Sequence, residues 1–343
     1  MKLYGKERTR REIEARVGRL EQIGGIRYRE GIDGKEKGMS FIEVRNGTGL
    51  AFTVVPTKGL DLSLVEYGGT PISWMSPSGD VHPMYYDPRD KQWLSTASGG
   101  MLMTCGLTNV GSSSGLGGNI QGVHGKAHHT PAKQVSAEGE WNGDEYDMVI
   151  RGTVEETAIF GPVLRLKREI RCRMGVNRIT VEDVVENLGF EASPHMLLYH
   201  FNFGYPFMDE NTQLDIPSTS VVPVKPDVPT IGYDHFEQPV EGYEERVYYH
   251  NMADRERATV TLTQPAFPQA GGRDIPLSVS IGWNTDTLPR LVQWKMPASG
   301  TYALGIEPSN CGVEGIAAEK DKGTLVWLQP GQAIRYRWEL DFH

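Results

Sequence analysis

Between Leu164 and Met174 the side chains alternate: Leu164, Leu166, Ile170, Cys172 and Met174 fall on one side, and Arg165, Lys167, Glu169, Arg171 and Arg173 on the other. A period of two marks a strand with one buried and one wetted face, because successive side chains leave opposite faces of the pleat. The C-terminal stretch repeats the pattern, with Ile334, Tyr336, Trp338, Leu340 and Phe342 set against Arg335, Arg337, Glu339 and Asp341. Shorter apolar runs, Phe41 to Val44, Leu50 to Val55, Leu60 to Val65 and Ile72 to Trp74, are divided by Asn46-Gly47, Lys58-Gly59 and Gly68-Gly69. These read as meandering antiparallel strands joined by turns, and Trp141-Asn142-Gly143-Asp144 as a two-residue hairpin. After residue 25 no long helical period competes. The expected fold is all-β, a large twisted antiparallel β-sandwich.

One N-terminal helix is expected over residues 7 to 23, where Ile13, Val17, Leu20 and Ile23 keep helical spacing and Gly24-Gly25 acts as a stop. Residues 1–25 are thus expected as an amphipathic helix packed on the body, and residues 26–343 as a single sandwich domain. The net charge of −9 argues against a nucleic-acid or anionic-membrane surface and suits a small-molecule partner. Cys105, Cys172 and Cys311 are odd in number and widely spaced, which suggests buried thiols rather than a disulfide framework or a zinc ribbon. The N-terminus lacks the apolar core of a signal peptide and no apolar run is long enough for a membrane span, so the expected location is cytoplasmic.

Chemistry gathers on two stretches. In Thr301 to Asn310, alternation points Tyr302, Leu304 and Ile306 one way and Ala303, Gly305 and Glu307 the other. A carboxylate beside two very small side chains, just before Pro308 and the polar Ser309 and Asn310, marks a surface shaped to admit a ligand. In Pro194 to Gly204, Leu198, His200, Asn202 and Gly204 share one face, opposite His195, Tyr199, Phe201 and Phe203. That brings an imidazole, the side chain most suited to moving a proton near neutral pH, next to an amide. His124 is flanked by Gly122 and Gly125, which permit close approach of a ligand to the backbone. The consecutive His128 and His129 read as structural. Residues 76 to 93, rich in proline and aromatic side chains, read as an irregular loop at the rim of a site.

Gly99-Gly100-Met101-Leu102-Met103-Thr104-Cys105-Gly106-Leu107, Val123-His124-Gly125, His200-Phe201-Asn202-Phe203-Gly204 and Ile306-Glu307-Pro308-Ser309-Asn310-Cys311 occur in the order seen in the galactose mutarotase (aldose 1-epimerase) superfamily. The chain resembles that superfamily over roughly residues 40 to 340, and within it a poorly characterised bacterial branch. The resemblance implies a β-supersandwich and a cofactor-free reaction on a sugar, with no metal or nucleotide. Glu307 would be the general base that takes the proton of the anomeric hydroxyl, and a histidine would protonate the ring oxygen. The ring would open, the C1–C2 bond rotate, and closure from the other face give the opposite anomer.

One departure from the family pattern bears on the acid. The family has His-x-Tyr-Phe-Asn, so aligning Phe201-Asn202 puts Leu198 where the histidine is expected and His200 where the tyrosine is. A two-residue offset on a strand keeps the same face, and His200 is therefore assigned as the acid, with His124 as a substrate ligand. Further expected substrate-binding residues are Asn202, Asp234 (whose Asp234-His235 resembles the family's Asp-His pair), Lys126 (placed to meet a carboxylate, phosphate or sulfonate), Asn310, and Trp294 with Trp93 as stacking platforms. Two other readings remain open at this stage. One is a catalytically silent sugar-binding module; the other is a metal-assisted isomerase or lyase in which His124, His200, Glu307 and His250 gather a divalent ion.

Overall fold

In the computed structural model, which describes residues 1–252 and 256–343, the alternating run from residue 164 is the strand Val163–Arg173, with its even-numbered side chains buried. It is third in an eight-stranded antiparallel sheet ordered Lys133–Asn142, Glu145–Thr157, Val163–Arg173, Arg178–Asn187, Ala333–Phe342, Asp274–Asn284, Arg257–Pro268 and Gln213–Asp215. The C-terminal strand lies at the centre of this sheet. Its inner face therefore needs the large apolar side chains seen in the sequence. The hairpin turns on Gly143 and Asp144, because Asn142 already pairs with Glu145.

The second sheet runs Ser220–Pro223, Arg246–Asn251, Arg290–Ala298, Thr301–Ser309, Ser193–Gly204, Leu102–Leu107, Asp61–Tyr67, Leu50–Val55, Ser40–Arg45 and Gly25–Glu30. Two short strands, Thr70–Pro71 and Val326–Leu328, pair alongside. The main core lies between the sheets: Trp338 of the first meets Phe201 and Tyr199 of the second at ring separations of 4.8 and 5.9 Å. Such edge-on aromatic contacts add to the stabilisation that burial alone supplies.

A charged network crosses this core. Arg168, on the inner face of its strand by the same alternation, donates to Asp183 at 2.7 Å and to Asp61 at 2.8 Å. Tyr199 donates to Asp183, and His128 Nδ1 lies 2.7 Å from Asp61. Each buried charge has an opposite partner, without which burial would be costly.

The N-terminal helix is shorter than its apolar spacing suggests. It covers only Arg10–Glu14, opened by a capping box between Thr9 and Glu12. Gly18 sits in the middle of the expected run, and a helical glycine costs about 1 kcal/mol relative to alanine. The chain instead enters a separate 3-10 turn at Leu20–Gln22. Val17, Leu20 and Ile23 still pack with Ile13 against Leu3 and Met174, so the apolar residues reach the body without forming one helix. A second short helix, Ile316–Asp321, follows the strand that carries Glu307. All three cysteines are buried and free. Among the described residues no helix is long and apolar enough to cross a membrane.

Candidate active site

The strand Ser193–Gly204 lies between Leu102–Leu107 and Thr301–Ser309. Its odd-numbered Tyr199, Phe201 and Phe203 enter the main core, which turns the even-numbered residues to the other face of the sheet. Pairing of Leu198 with Ser309 and of Asn202 with Gly305 puts His200 opposite Glu307. Met103 pairs beyond His200 and Val292 beyond Glu307. His200 Nε2 and Glu307 Oε1 are 3.1 Å apart, with side-chain exposures of 9% and 3%.

Gly305 makes that approach possible. A Cβ built there would stand 2.5 Å from Glu307 Oε1, 3.0 Å from the Trp294 Cβ and 3.2 Å from the His200 Cε1. The small side chain expected beside the carboxylate is the space that the carboxyl group and the imidazole occupy.

This face is roofed by the segments between the strands. The turn Gln92–Ser95 brings in Trp93, and the loop at His124 adds a second imidazole. Between roof and sheet lies a cavity of about 720 Å³ lined by Trp74, Trp93, His124, His200, Trp294 and Glu307, among others. That volume is within the roughly 300–1,000 Å³ of small-molecule sites. A depression of about 740 Å³ elsewhere, between Phe160 and Phe190, has Glu191 and no histidine in its lining.

Burial sets the charge states. Desolvation, and secondarily the charge of Glu245, pushes the Glu307 carboxyl well above the usual carboxylate range. Desolvation, helped by His124, pulls His200 down to about 3, and burial alone pulls His124 down to about 4. Burial thus disfavours the charged form of both groups and leaves the His200 imidazole neutral at neutral pH. Glu307 Oε1 and His200 Nδ1 have no aligned hydrogen-bond partner, so neither is committed to a purely structural bond.

His124 has a positive φ of 56°, a conformation that few non-glycine residues adopt. The Gly111 N–H donates to its Nδ1 at 3.3 Å, which places the proton of the neutral ring on Nε2. Its ring centre lies 5.8 Å from that of His200 and 5.0 Å from Trp93. Trp294 forms another wall, its indole N–H donating to Glu245 at 3.1 Å. The ring of Trp294 meets Trp74 at 5.8 Å and His200 at 5.7 Å.

The other residues singled out in the sequence lie elsewhere. Lys126 is exposed outside the cavity lining. Asp234 is also exposed, and among the described residues its hydrogen-bond partner is its neighbour His235, at 2.7 Å. Asn202 is buried beneath the site, its amide donating to the Gly100 and His200 carbonyls. Asn310 clips strand ends together, accepting from the Leu197 N–H and donating to the Tyr336 hydroxyl. Leu198 is buried in an apolar cluster with Met103, Cys105 and Cys311 and does not itself line the cavity. Both nitrogens of His250 are engaged, by Ser218 and Gln293. Among the described residues no three histidine, cysteine or acidic side chains stand close enough together to hold a metal ion.

Lining residues that the sequence did not single out individually include Trp74, Lys91, Lys225 and Glu245, of which Lys91 falls in the loop 76 to 93 expected at the rim. Gly204 was a usable signal for Trp74, since a Cβ there would lie 2.7 Å from the Trp74 Cα. The two lysines and Glu245 come from irregular stretches whose placement no local pattern fixes.

A family model described as "Domain of unknown function (DUF4432)" matches residues 36–342. No curated protein matches the sequence. Among solved structures, an unconfirmed aldose 1-epimerase from Klebsiella pneumoniae is 25% identical, with a TM-score of 0.81 over 92% of this chain and 83% of that one. A galactose mutarotase-like protein from Clostridium acetobutylicum is 14% identical, with a TM-score of 0.61 over 93% of this chain and 99% of that one. Galactose 1-epimerase from Lactobacillus acidophilus is 13% identical, with a TM-score of 0.57 over 93% and 98%. The fold is that of the galactose mutarotase-like proteins.

Proposed function

We propose that this chain, which belongs to the DUF4432 family, is a carbohydrate epimerase that interconverts sugar anomers with Glu307 and His200 as its proton-transfer pair. The observation that carries the reading is the 3.1 Å approach of His200 Nε2 to Glu307 Oε1 on the floor of a ligand-sized cavity. Mutarotation needs two proton transfers at oxygens bonded to one carbon. Two neighbouring groups with opposite proton states can serve both.

The direction in which burial shifts both groups supports one order of those transfers. Glu307, held protonated, donates to the ring oxygen as the bond from C1 to that oxygen breaks. His200, held neutral, takes the proton of the anomeric hydroxyl at Nε2. The open-chain aldehyde then stands beside a carboxylate and an imidazolium, a pair stabilised by its own attraction in a water-poor site. After rotation about C1–C2, the imidazolium returns its proton to the carbonyl oxygen, and the carboxylate takes the proton of the attacking ring hydroxyl. This order reverses the base and acid roles that the resemblance implies, because a solvent-excluded carboxyl retains its proton. Trp74 and Trp294 offer apolar faces to the sugar, and His124 a donor to one of its hydroxyls.

The test is anomer exchange measured by NMR across aldoses, ketoses, uronates and sugar phosphates. Exchange of at least one sugar well above its spontaneous rate is expected. Sugar binding without any enhanced exchange would replace this reading with that of a silent binding module.

A further inference from the structure

The charge of the cavity differs from that of the molecule around it. The chain carries a net −9, yet the lining holds two ammonium groups, Lys91 and Lys225. Neither ammonium has a hydrogen-bond or ion-pair partner among the described residues. Among the described residues no carboxylate of the lining pairs with either of them. Burial at the cavity floor disfavours the charged form of Glu307, and Glu245 is the acceptor of the Trp294 indole. The histidines of the lining are neutral, so the two ammonium groups are its cationic groups.

The lysines enter from two separate walls. Lys91 directly precedes the turn Gln92–Ser95 that supplies Trp93. Lys225 follows the edge strand Ser220–Pro223 and adjoins Val224, whose N–H donates to the Val247 carbonyl; Val247 in turn pairs with Trp294. Both are exposed, whereas Glu307 and His200 are buried in the sheet. The cations thus lie at the solvent end of the cavity and the proton-transfer pair at its floor. Unpaired ammonium groups at the mouth of a cavity floored by Glu307 and His200 suit an anion.

We propose that the substrate is a monosaccharide bearing a carboxylate, phosphate or sulfur oxyanion at the end of the ring remote from the reacting carbon, with Lys91 and Lys225 receiving that group. This rests on reading the site as a sugar epimerase. A charge at the reacting carbon itself would lie beside Glu307 and oppose the ionisation that ring opening requires there.

The test compares glucose, glucuronate, glucose 6-phosphate and glucose 6-sulfate, together with their galacto counterparts, on the full chain. Binding is followed by tryptophan fluorescence and turnover by NMR, in the wild type and in Lys91→Met, Lys225→Met and the double variant. Methionine keeps most of the stem and removes the charge. The charged sugars should bind at least about tenfold more tightly than the neutral one, and the double variant should lose that margin with its Tm unchanged. The margin should also shrink as salt is raised from about 0.05 to 0.5 M. The best charged member identifies the oxyanion. Equal or tighter binding of the neutral sugar, or a charge preference that survives the double variant, overturns the proposal. Exchange of neutral sugars alone would overturn it while leaving the epimerase reading in place. Lysine-dependent binding of charged sugars without exchange would do the reverse, and absence of binding by every sugar would overturn both.

Discussion

A Cβ on Gly305 would come within 2.5 Å of Oε1 of Glu307, two residues further along the same strand. The strand backbone at 305 therefore serves as one wall of the space in which the carboxyl meets His200. Gly305→Ala should move the carboxyl group or the ring by a substantial part of an ångström. A misplacement of that order costs about 10²-fold in rate when acid and base must act on adjacent atoms. The expected outcome is a large fall in kcat for anomer exchange with far-ultraviolet circular dichroism unchanged; wild-type kcat would mean that the pair has room to spare.

Glu307→Gln keeps the volume and removes the titrating group. Turnover should fall by about 10²–10⁴-fold. Stability should move the other way, with a pH dependence whose sign follows from the raised carboxyl pKa. Below the ordinary value of 4.5 the folded and unfolded chains are both protonated at 307, and the residue adds no pH dependence. Above it the unfolded chain releases the proton while the folded chain retains it, so wild-type stability falls with rising pH until the folded carboxyl ionises. Thermal melts should show Glu307→Gln gaining on the wild type from about pH 4.5 upward. A Tm difference independent of pH would contradict the buried, protonated carboxyl.

The sheets and the shared face of Glu307 and His200 were legible in the sequence because both depend on a period of two. Alternation alone put Glu307 with Gly305, and His200 on the face opposite Tyr199 and Phe201, which enter the core. Arg168, not singled out in the sequence, sits on the buried face of the strand Val163–Arg173, where it bridges Asp61 and Asp183. Its buried role depends on partners 107 and 15 residues away, which no local pattern connects. The cavity roof was legible only in outline. Lys126 and Asp234 were chosen for their neighbours in sequence, but a turn or loop has no period to fix the direction of a side chain, and both are exposed. Lys91 and Lys225 reach the cavity for the same reason, from loops whose course depends on the tertiary structure.

Arg168 gives a stability prediction independent of any activity. Arg168→Met leaves Asp183 and Asp61 buried without their cation, and removing one partner of a buried pair costs about 3–5 kcal/mol. A triple variant that also replaces both aspartates with asparagine should recover part of that loss, since the unpaired charges then disappear. Denaturant unfolding of the single and triple variants measures both; a single variant within about 1 kcal/mol of wild type would show that water reaches this site.

His200 and His124 should separate kinetically. His200→Asn removes the group that changes protonation during the reaction and should collapse kcat with a modest change in KM. His124, whose Nδ1 is occupied by the Gly111 N–H, has a donor at Nε2 for a sugar hydroxyl. His124→Asn should therefore mainly raise KM, because loss of uniform binding and loss of a transition-state contact appear in different constants. Unchanged kcat in His200→Asn would remove His200 from the chemistry.

The histidines also set a limit on acid stability. His124, His128, His129, His195, His200 and His250 are all held below their ordinary pKa of 6.5, with desolvation as the main cause in each case. Above pH 6.5 these side chains are neutral in both folded and unfolded chains and carry no penalty. As the pH falls below 6.5 the unfolded chain takes up a proton at each, while the folded chain resists until about 4 for His124, His195 and His250 and about 3 for His200. Stability is therefore lost with falling pH across that window, by about 1.4 kcal/mol per pH unit for each histidine that remains neutral when folded. Melts from pH 7.5 to 4 should show Tm dropping steeply below about 6.5, with several protons taken up on unfolding. Replacing His195, which bonds to the Leu107 carbonyl and the Tyr336 hydroxyl, with glutamine should make that slope shallower by about one proton, even if it lowers Tm at neutral pH. A slope unchanged by this substitution would show that His195 titrates alike in the folded and unfolded chains.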